Sequence, residues 1–343
     1  MKKIQPSEIW EYSKDRIVFD VRSPSEYAHA HIPNALSLPL FNDEERAKVG
    51  TLYKQVSAEN ALIKGLDFVG PKMAGFVKTA IKKSPHRKLL IHCWRGGKRS
   101  GSMAWLMAFA GLDVVTLEGG YKNYRHFILN EFEKPTLKII VLGGKTGSGK
   151  TEILKELEKA GEQIIDLEGI AHHKGSAFGW IGEPKQPTVE QFENNLFDVF
   201  RTIDPSKRVW VENESRSIGT VFIPQGFWNQ MKSSPLIHLE VPFFQRVEHL
   251  VDVYTQTSKE DLILSFEKIE SKIGTENLKK TIGWIINGDF ETAAAMGLKY
   301  YDKTYMHNFE VNTTLQKHIV EVEKFDPVQT AATLIHFANT HIQ

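Results

Sequence analysis

The stretch KIIVLGGKTGSGKTEILKELEKAG, residues 138–161, decides how the chain is read. A β-branched run leads into a glycine-rich turn, and the turn opens into a segment with apolar residues at helical spacing. The turn itself, GKTGSGKT (residues 144–151), fits G-x-x-x-x-G-K-[ST], a pattern that carries weight only between a strand and a helix, which is where it stands. Gly144, Gly147 and Gly149 let backbone N–H groups wrap phosphate oxygens, with Lys145 and Ser148 in the same loop. Lys150 supplies charge, and Thr151 can hold a magnesium ion. The turn is thus read as a diphosphate site at the end of a parallel-sheet strand, in an α/β fold.

The alternation of strands and helices continues in both directions. Downstream, EQIIDLE, RVWVENE, PLIHLEV and KHIVEVE read as strands. A helical insertion spans residues 243 to about 315, and a helix over 327–338 follows. In RVWVENESR, Glu212 and Glu214 are the candidate acidic partners of the phosphate loop, with Arg216 beside them. The usual Asp is missing there, so phosphate binding is a firmer expectation than ATP hydrolysis. The stretch at 167–194 offers His172 and Ser176 as parts of a binding loop; His172 and His173, being adjacent, face different sides and make a poor metal pair. Lys279, Lys280, Trp284, Lys299, Tyr300, Tyr301 and Lys303 mix residue types that stack on bases and bind phosphates, but amphipathic helix packing is the preferred account of that run.

Upstream, RIVFDV, KLLIHC and DVVTLE are strands, with a helix expected from near Ser100 to a glycine stop at Gly111. Residues 1–133 and 134–343 are expected as two domains, in keeping with 343 residues. With 41% hydrophobic and 25% charged residues the composition is that of an ordinary globular protein. No secretory h-region opens the chain, and no apolar run reaches the ~18 residues of a membrane span. The lone cysteine forms no intrachain disulfide, which suits a reducing cytoplasm. A net charge of +1 excludes a chain that is basic throughout, so nucleic-acid binding needs a local patch.

That cysteine, Cys93, sits in LLIHCWRGGKRSGSMAWLMAF (residues 89–109). Gly96 and Gly97 form a turn between a strand end and a helix start near Ser100, a cradle of N–H groups that suits an anion or a thiolate. Arg95, Lys98 and Arg99 add positive charge if they face the loop. Three roles stay open: phosphatase nucleophile, carrier of sulfur or selenium, or inert buried thiol.

The first ~130 residues resemble a rhodanese domain, in DVRSPSEYAHAHIPNALSLPL (residues 20–40) and LEGGYKNYR (residues 117–125). The resemblance implies that Asp20, Arg22 and Glu26 support the loop, with Arg22 and Glu26 paired. Ala30 and Asn34 stand where that family often has glycine. Five residues, 94–98, separate Cys93 from Arg99, as in the His-Cys-x5-Arg-Ser pattern of cysteine-dependent phosphatases, so loop length leaves both chemistries open.

Over essentially its whole length the chain resembles the tRNA 2-selenouridine synthases. The stretches NDEERAKVGTLYKQ, LEGIAHHKGSAFG and VENESRSIG carry this besides the two loops. The resemblance implies a cytoplasmic enzyme that replaces sulfur by selenium in wobble 2-thiouridine of tRNA. Its substrates would be selenophosphate, from a supplying enzyme, and geranyl diphosphate, which makes an S-geranylated intermediate. No tightly bound cofactor is expected beyond magnesium at Thr151. The alternatives are a cysteine-dependent phosphatase, a P-loop small-molecule kinase with an accessory rhodanese domain, and a sulfur-relay adapter.

Overall fold

The computed structural model describes residues 1–254, 257–311 and 316–342, without the side chains of 304–311. The chain divides into the units Met1–Glu131 and Phe132–Gln343. Phe132 belongs with the second because its ring packs among Phe197, Phe200 and Phe227.

The first unit is built on strands β1 (Lys2–Ile4), β2 (Ile17–Asp20), β3 (Leu36–Ser37), β4 (Lys88–His92) and β5 (Asp113–Leu117). They form one sheet in the order β1-β5-β4-β2-β3, with every pairing parallel. A strand covered on both faces reads as a continuous apolar run, and Leu89, Leu90 and Ile91 of the central β4 are fully buried. Its carboxyl end delivers Cys93 to the rim where parallel sheets bind ligands. The next helix is Lys98–Phe109, so it starts two residues before Ser100 and leaves Ser100 inside its first turn. The stop at Gly111 has the left-handed φ of +80° that favours glycine. Residues 42–55 supply the helix Asp43–Gln55, whose start is fixed by a reciprocal cap between Asn42 and Glu45. Asn34 takes a left-handed φ of 65°, a conformation asparagine tolerates in place of glycine. Ala30 is extended, so no glycine is needed there.

The second unit holds β6 (Lys138–Gly144), β7 (Gln163–Ile165), β8 (Arg208–Glu212), β9 (Ser217–Ile218), β10 (Val221–Phe222), β11 (Leu236–Glu240) and β12 (Lys317–Glu321). Five of these make a parallel sheet, β12-β11-β6-β8-β7, while β9 and β10 form a small antiparallel ribbon. Central β6 ends in the phosphate loop and continues into the helix Lys150–Lys159, whose Ile153, Leu154 and Leu157 are buried against the sheet core. The last helix is Pro327–His341, capped by Asp326 and three residues longer than expected from 327–338.

After β11 come the helices Phe243–Tyr254, Lys259–Glu267, Glu270–Ile273, Thr275–Asn287 and Phe290–Val311. They close around an apolar cluster of their own that includes Phe178, Phe266, Ile285 and Ala293. Of the expected helical insertion, residues 255–256 and 312–315 lie outside the described residues. Trp284, Tyr300 and Tyr301 pack against this cluster and Lys280 pairs with Glu276, as amphipathic packing requires.

Candidate functional site

The thiol loop is held mainly by backbone. Tyr121 N–H donates to the Cys93 carbonyl at 2.8 Å and Lys122 N–H to the Trp94 carbonyl at 2.9 Å, so the 117–125 turn is stitched onto the cysteine loop. The approach is close: a Cβ on Gly120 would sit 2.3 Å from the Cys93 oxygen and 2.4 Å from the Gly96 nitrogen. Gly96 itself has φ +63°. Cys93 is buried, and its Sγ lies 3.2 Å from the Ser100 hydroxyl, which also reaches the Gly97 carbonyl at 3.2 Å.

The charged side chains pair differently from the resemblance. Arg22 is bonded to Asp20, with Nη2 at 2.6 Å from Oδ2, and it donates to the Ala30 carbonyl at 2.6 Å while lying over the Tyr121 ring. Both partners are almost fully buried, and a buried guanidinium needs its counter-charge at contact. Glu26 instead takes Arg99, at 2.6 and 3.4 Å, and lies 3.5 Å from Arg46. The expected Arg22–Glu26 pair is therefore replaced by Arg22–Asp20 and Arg99–Glu26. Burial would raise the Glu26 carboxyl, but the Arg99 bond, the Ser23 N–H and the nearby charges hold it below its ordinary value. Arg95 and Lys98 are exposed. Sequence reasoning missed His92, which is fully buried 3.9 Å from Asp20, with burial, the largest effect, pushing its imidazole below its ordinary pKa.

In the second unit the three loop glycines are required sterically. A Cβ on Gly144 would meet Ser148 Oγ at 2.4 Å. One on Gly149, at φ +68°, would enter the Phe325 ring. Gly147, at φ +80°, lies against the Arg246 backbone. Lys150 folds back over the loop, its Nζ 3.3 Å from the Gly144 carbonyl, whereas Lys145 is paired with Glu240 at 2.6 Å. Ser148 is buried, and its hydroxyl has no partner among the described residues.

The carboxylate next to the loop is one the sequence reading overlooked. Thr151 Oγ1 donates to Glu168 at 3.2 Å, while Glu212 accepts the Glu168 backbone N–H at 2.7 Å. Glu214 is hydrogen-bonded to Glu168, and its carboxyl lies against Gly175. Burial, then the Glu168 charge, push Glu214 up to about 8 against the opposing Lys150 charge. Burial, then Asp166 and Glu168, raise Glu212 well above its ordinary value. The Thr151 hydroxyl and the Glu168 carboxylate are oxygen donors of the kind magnesium takes. Among the described residues no group of three or more His, Cys, Asp or Glu is arranged to hold a metal ion. Arg216 is exposed. His172 contacts the Lys185 carbonyl at 3.2 Å.

Beside the phosphate loop lies a cavity absent from the sequence reading. Its enclosed volume is about 60 Å³. Thr146 and Ser176 contribute to its lining, and Phe178, Leu250, Phe266 and Ile285 make much of the rest apolar. Buried Arg246 ties this region to the loop. It donates to the Thr146 carbonyl at 3.1 Å and grips Asp302 at 2.8 and 2.6 Å.

Comparison with known proteins assigns both halves. Residues 137–286 match the model of the tRNA 2-selenouridine synthase AAA domain, and residues 5–127 that of the rhodanese-like domain. A tRNA 2-selenouridine synthase of Sulfurovum sp. (strain NBC37-1) is 37% identical over 275 residues, 77% of this chain and 73% of that protein. The chain belongs to the tRNA 2-selenouridine synthase family. It is an enzyme of that family. A second relative, from Bdellovibrio bacteriovorus, is 38% identical over 273 residues, covering 75% of this chain and 70% of its own. A solved N-terminal domain of a Clostridium difficile 630 protein is 40% identical over 37% of this chain and 99% of that one, with a TM-score of 0.35. Within the family assignment, Cys93 falls in the rhodanese-like match, while the phosphate loop and Glu168 fall in the AAA match. The cavity wall formed by Phe290–Val311 lies beyond both.

Proposed function

We propose that the chain modifies tRNA by exchanging the sulfur of wobble 2-thiouridine for selenium, in two steps run at its two loops. In the first, geranyl diphosphate is bound by the loop at 144–151 and its chain enters the adjoining cavity. The thiouridine sulfur attacks the allylic carbon, the carbon–oxygen bond breaks, and its electrons leave with the diphosphate. Lys150 and the loop N–H groups stabilise the charge developing on that leaving group. Thr151 and Glu168 would hold a magnesium ion, which supplies further positive charge there. Alkylation converts a poor leaving group, a thione, into a thiol that carbon 2 can expel.

In the second step the Cys93 thiolate attacks the phosphorus of selenophosphate, the phosphorus–selenium bond breaks, and the hydrogen selenide so presented attacks carbon 2 while the carbon–sulfur bond breaks and geranyl thiol leaves. Water then cleaves the sulfur–phosphorus bond at Cys93 and releases phosphate, so the single cysteine needs no second thiol to be regenerated. The supplier of selenophosphate and the tRNA are then its partners, in the cytoplasm.

One observation carries the donor assignment: the phosphate loop shares Thr146 with an apolar cavity, which suits a diphosphate joined to a hydrocarbon chain. The test is a titration with geranyl diphosphate, inorganic pyrophosphate and ATP, joined to mass analysis of tRNA nucleosides from cells lacking the protein. Tighter binding of geranyl diphosphate than of the other two, and loss of 2-selenouridine, are expected. ATP as the preferred ligand would support the kinase reading instead.

A further inference from the structure

Resting on the donor reading above, we infer that the helix Phe290–Val311 measures the prenyl chain, with Gly297 as the residue that lets ten carbons pass. Ala293, Ala294, Gly297, Leu298 and Tyr301 all line the cavity. Positions 293, 297 and 301 are successive steps of four along one helix face.

The helix has a fixed origin at the phosphate end. Asp302 is gripped by Arg246, whose other bond is to the Thr146 carbonyl of the loop. Tyr301 accepts a hydrogen bond from the Ala177 N–H at 3.1 Å, next to Ser176 at the cavity wall. Depth below Tyr301 can therefore be counted along the helix. At a rise of about 1.5 Å per residue, Gly297 lies ~6 Å deep, Ala293 ~12 Å and Phe290 ~16 Å.

Prenyl chains have comparable lengths. With bonds of about 1.5 Å in a zigzag, extended dimethylallyl, geranyl and farnesyl main chains reach roughly 4, 9 and 14 Å. Dimethylallyl ends above Gly297. Geranyl passes Gly297 and stops short of Ala293, whereas farnesyl runs on toward Phe290. A Cβ built on Gly297 would already touch the Phe266 ring at 3.4 Å. A methyl fits there at contact, and a longer side chain at this lining position takes up cavity space.

The experiment measures prenyl transfer to 2-thiouridine in tRNA from the three diphosphates, with thermal melting and pyrophosphate binding as controls of folding. Gly297→Leu is expected to lower kcat/KM for geranyl diphosphate about 100-fold, in the range by which hydrophobic pockets discriminate, while dimethylallyl transfer changes less than threefold. Ala293→Leu is expected to lower farnesyl transfer at least tenfold while geranyl transfer changes less than threefold, a split that structural damage does not produce. Equal effects of Gly297→Leu on both shorter donors in a folded protein overturn the inference. If that variant does not fold, Ala293→Leu decides, and equal losses with geranyl and farnesyl overturn it. Wild-type protein that transfers none of the three donors removes the donor reading itself, which is a separate outcome.

Discussion

The two anion loops stand at equivalent places, each at the carboxyl end of a central parallel strand, yet they are finished differently. Around Cys93 the neighbouring charges are matched inside the unit, Arg22 with Asp20 and Arg99 with Glu26, and the cysteine itself contacts Ser100. Around Lys150 the loop opens on one side to an apolar cavity and on the other to the crowded carboxyl groups of Glu168, Glu212 and Glu214. A loop closed by matched pairs suits a small anion brought to a thiol. One open to apolar space suits an anion with a tail.

The largest expected effect breaks the comparison at its chemical centre. Cys93→Ser should reduce selenation of S-geranylated tRNA to background, because the thiolate nucleophile is gone, while geranylation of thiolated tRNA persists. Mass analysis of the digested nucleosides reads both, and full selenation by the variant contradicts the role given to Cys93. The same preparation should hydrolyse aryl phosphates no faster than the variant. Robust Cys93-dependent turnover would favour a phosphatase.

A smaller effect sharpens the contrast in how the loops are held. Asp20→Asn leaves Arg22 buried without its counter-charge, and breaking such a pair costs about 3–5 kcal/mol. Denaturant unfolding of the full chain should show this loss, whereas Glu26→Gln, at a pair whose side chains keep 24% and 18% of their exposure, should cost less. Similar losses for the two would show that burial does not separate the pairs.

The smallest effect is in pH dependence, and its sign follows from Glu214. Its carboxyl is raised from 4.5 to about 8 in the folded protein, so between those values the native state binds more protons than the unfolded one. Stability then falls as pH rises through this window. Metal-free protein should unfold at lower urea concentration at pH 8 than at pH 5.5, and Glu214→Gln should reduce that slope. An unchanged slope in the variant would remove Glu214 as its source.

What was legible in the sequence was local. The loop at 144–151 declares itself because its glycines, lysine and threonine are consecutive, and β4 and β6 show as apolar runs because both faces are covered. Glu168 did not show, because its contact with Thr151 is tertiary: β8 lies between β6 and β7, so the two residues follow strands that are not neighbours in the sheet. Its signal was a pair of acids, Asp166 and Glu168, directly after a strand. The exchange of partners between Arg22 and Arg99 was hidden for a similar reason. Which carboxylate an arginine meets depends on burial, and Arg22 is far more buried than Arg99. The cavity was least legible, since its walls come from several helices whose facing residues are chosen by packing.

The central claim is that the two loops divide the work, and Lys150→Ala tests it most directly. The variant loses the charge that stabilises the departing diphosphate, so geranylation should fall about 10²–10³-fold and selenation of thiolated tRNA should fall with it. Given tRNA that is already geranylated, the same variant should install selenium within about threefold of the wild-type rate. If folded Lys150→Ala protein that still binds tRNA fails on the geranylated substrate, the phosphate loop takes part in the selenium step and the division of labour is wrong.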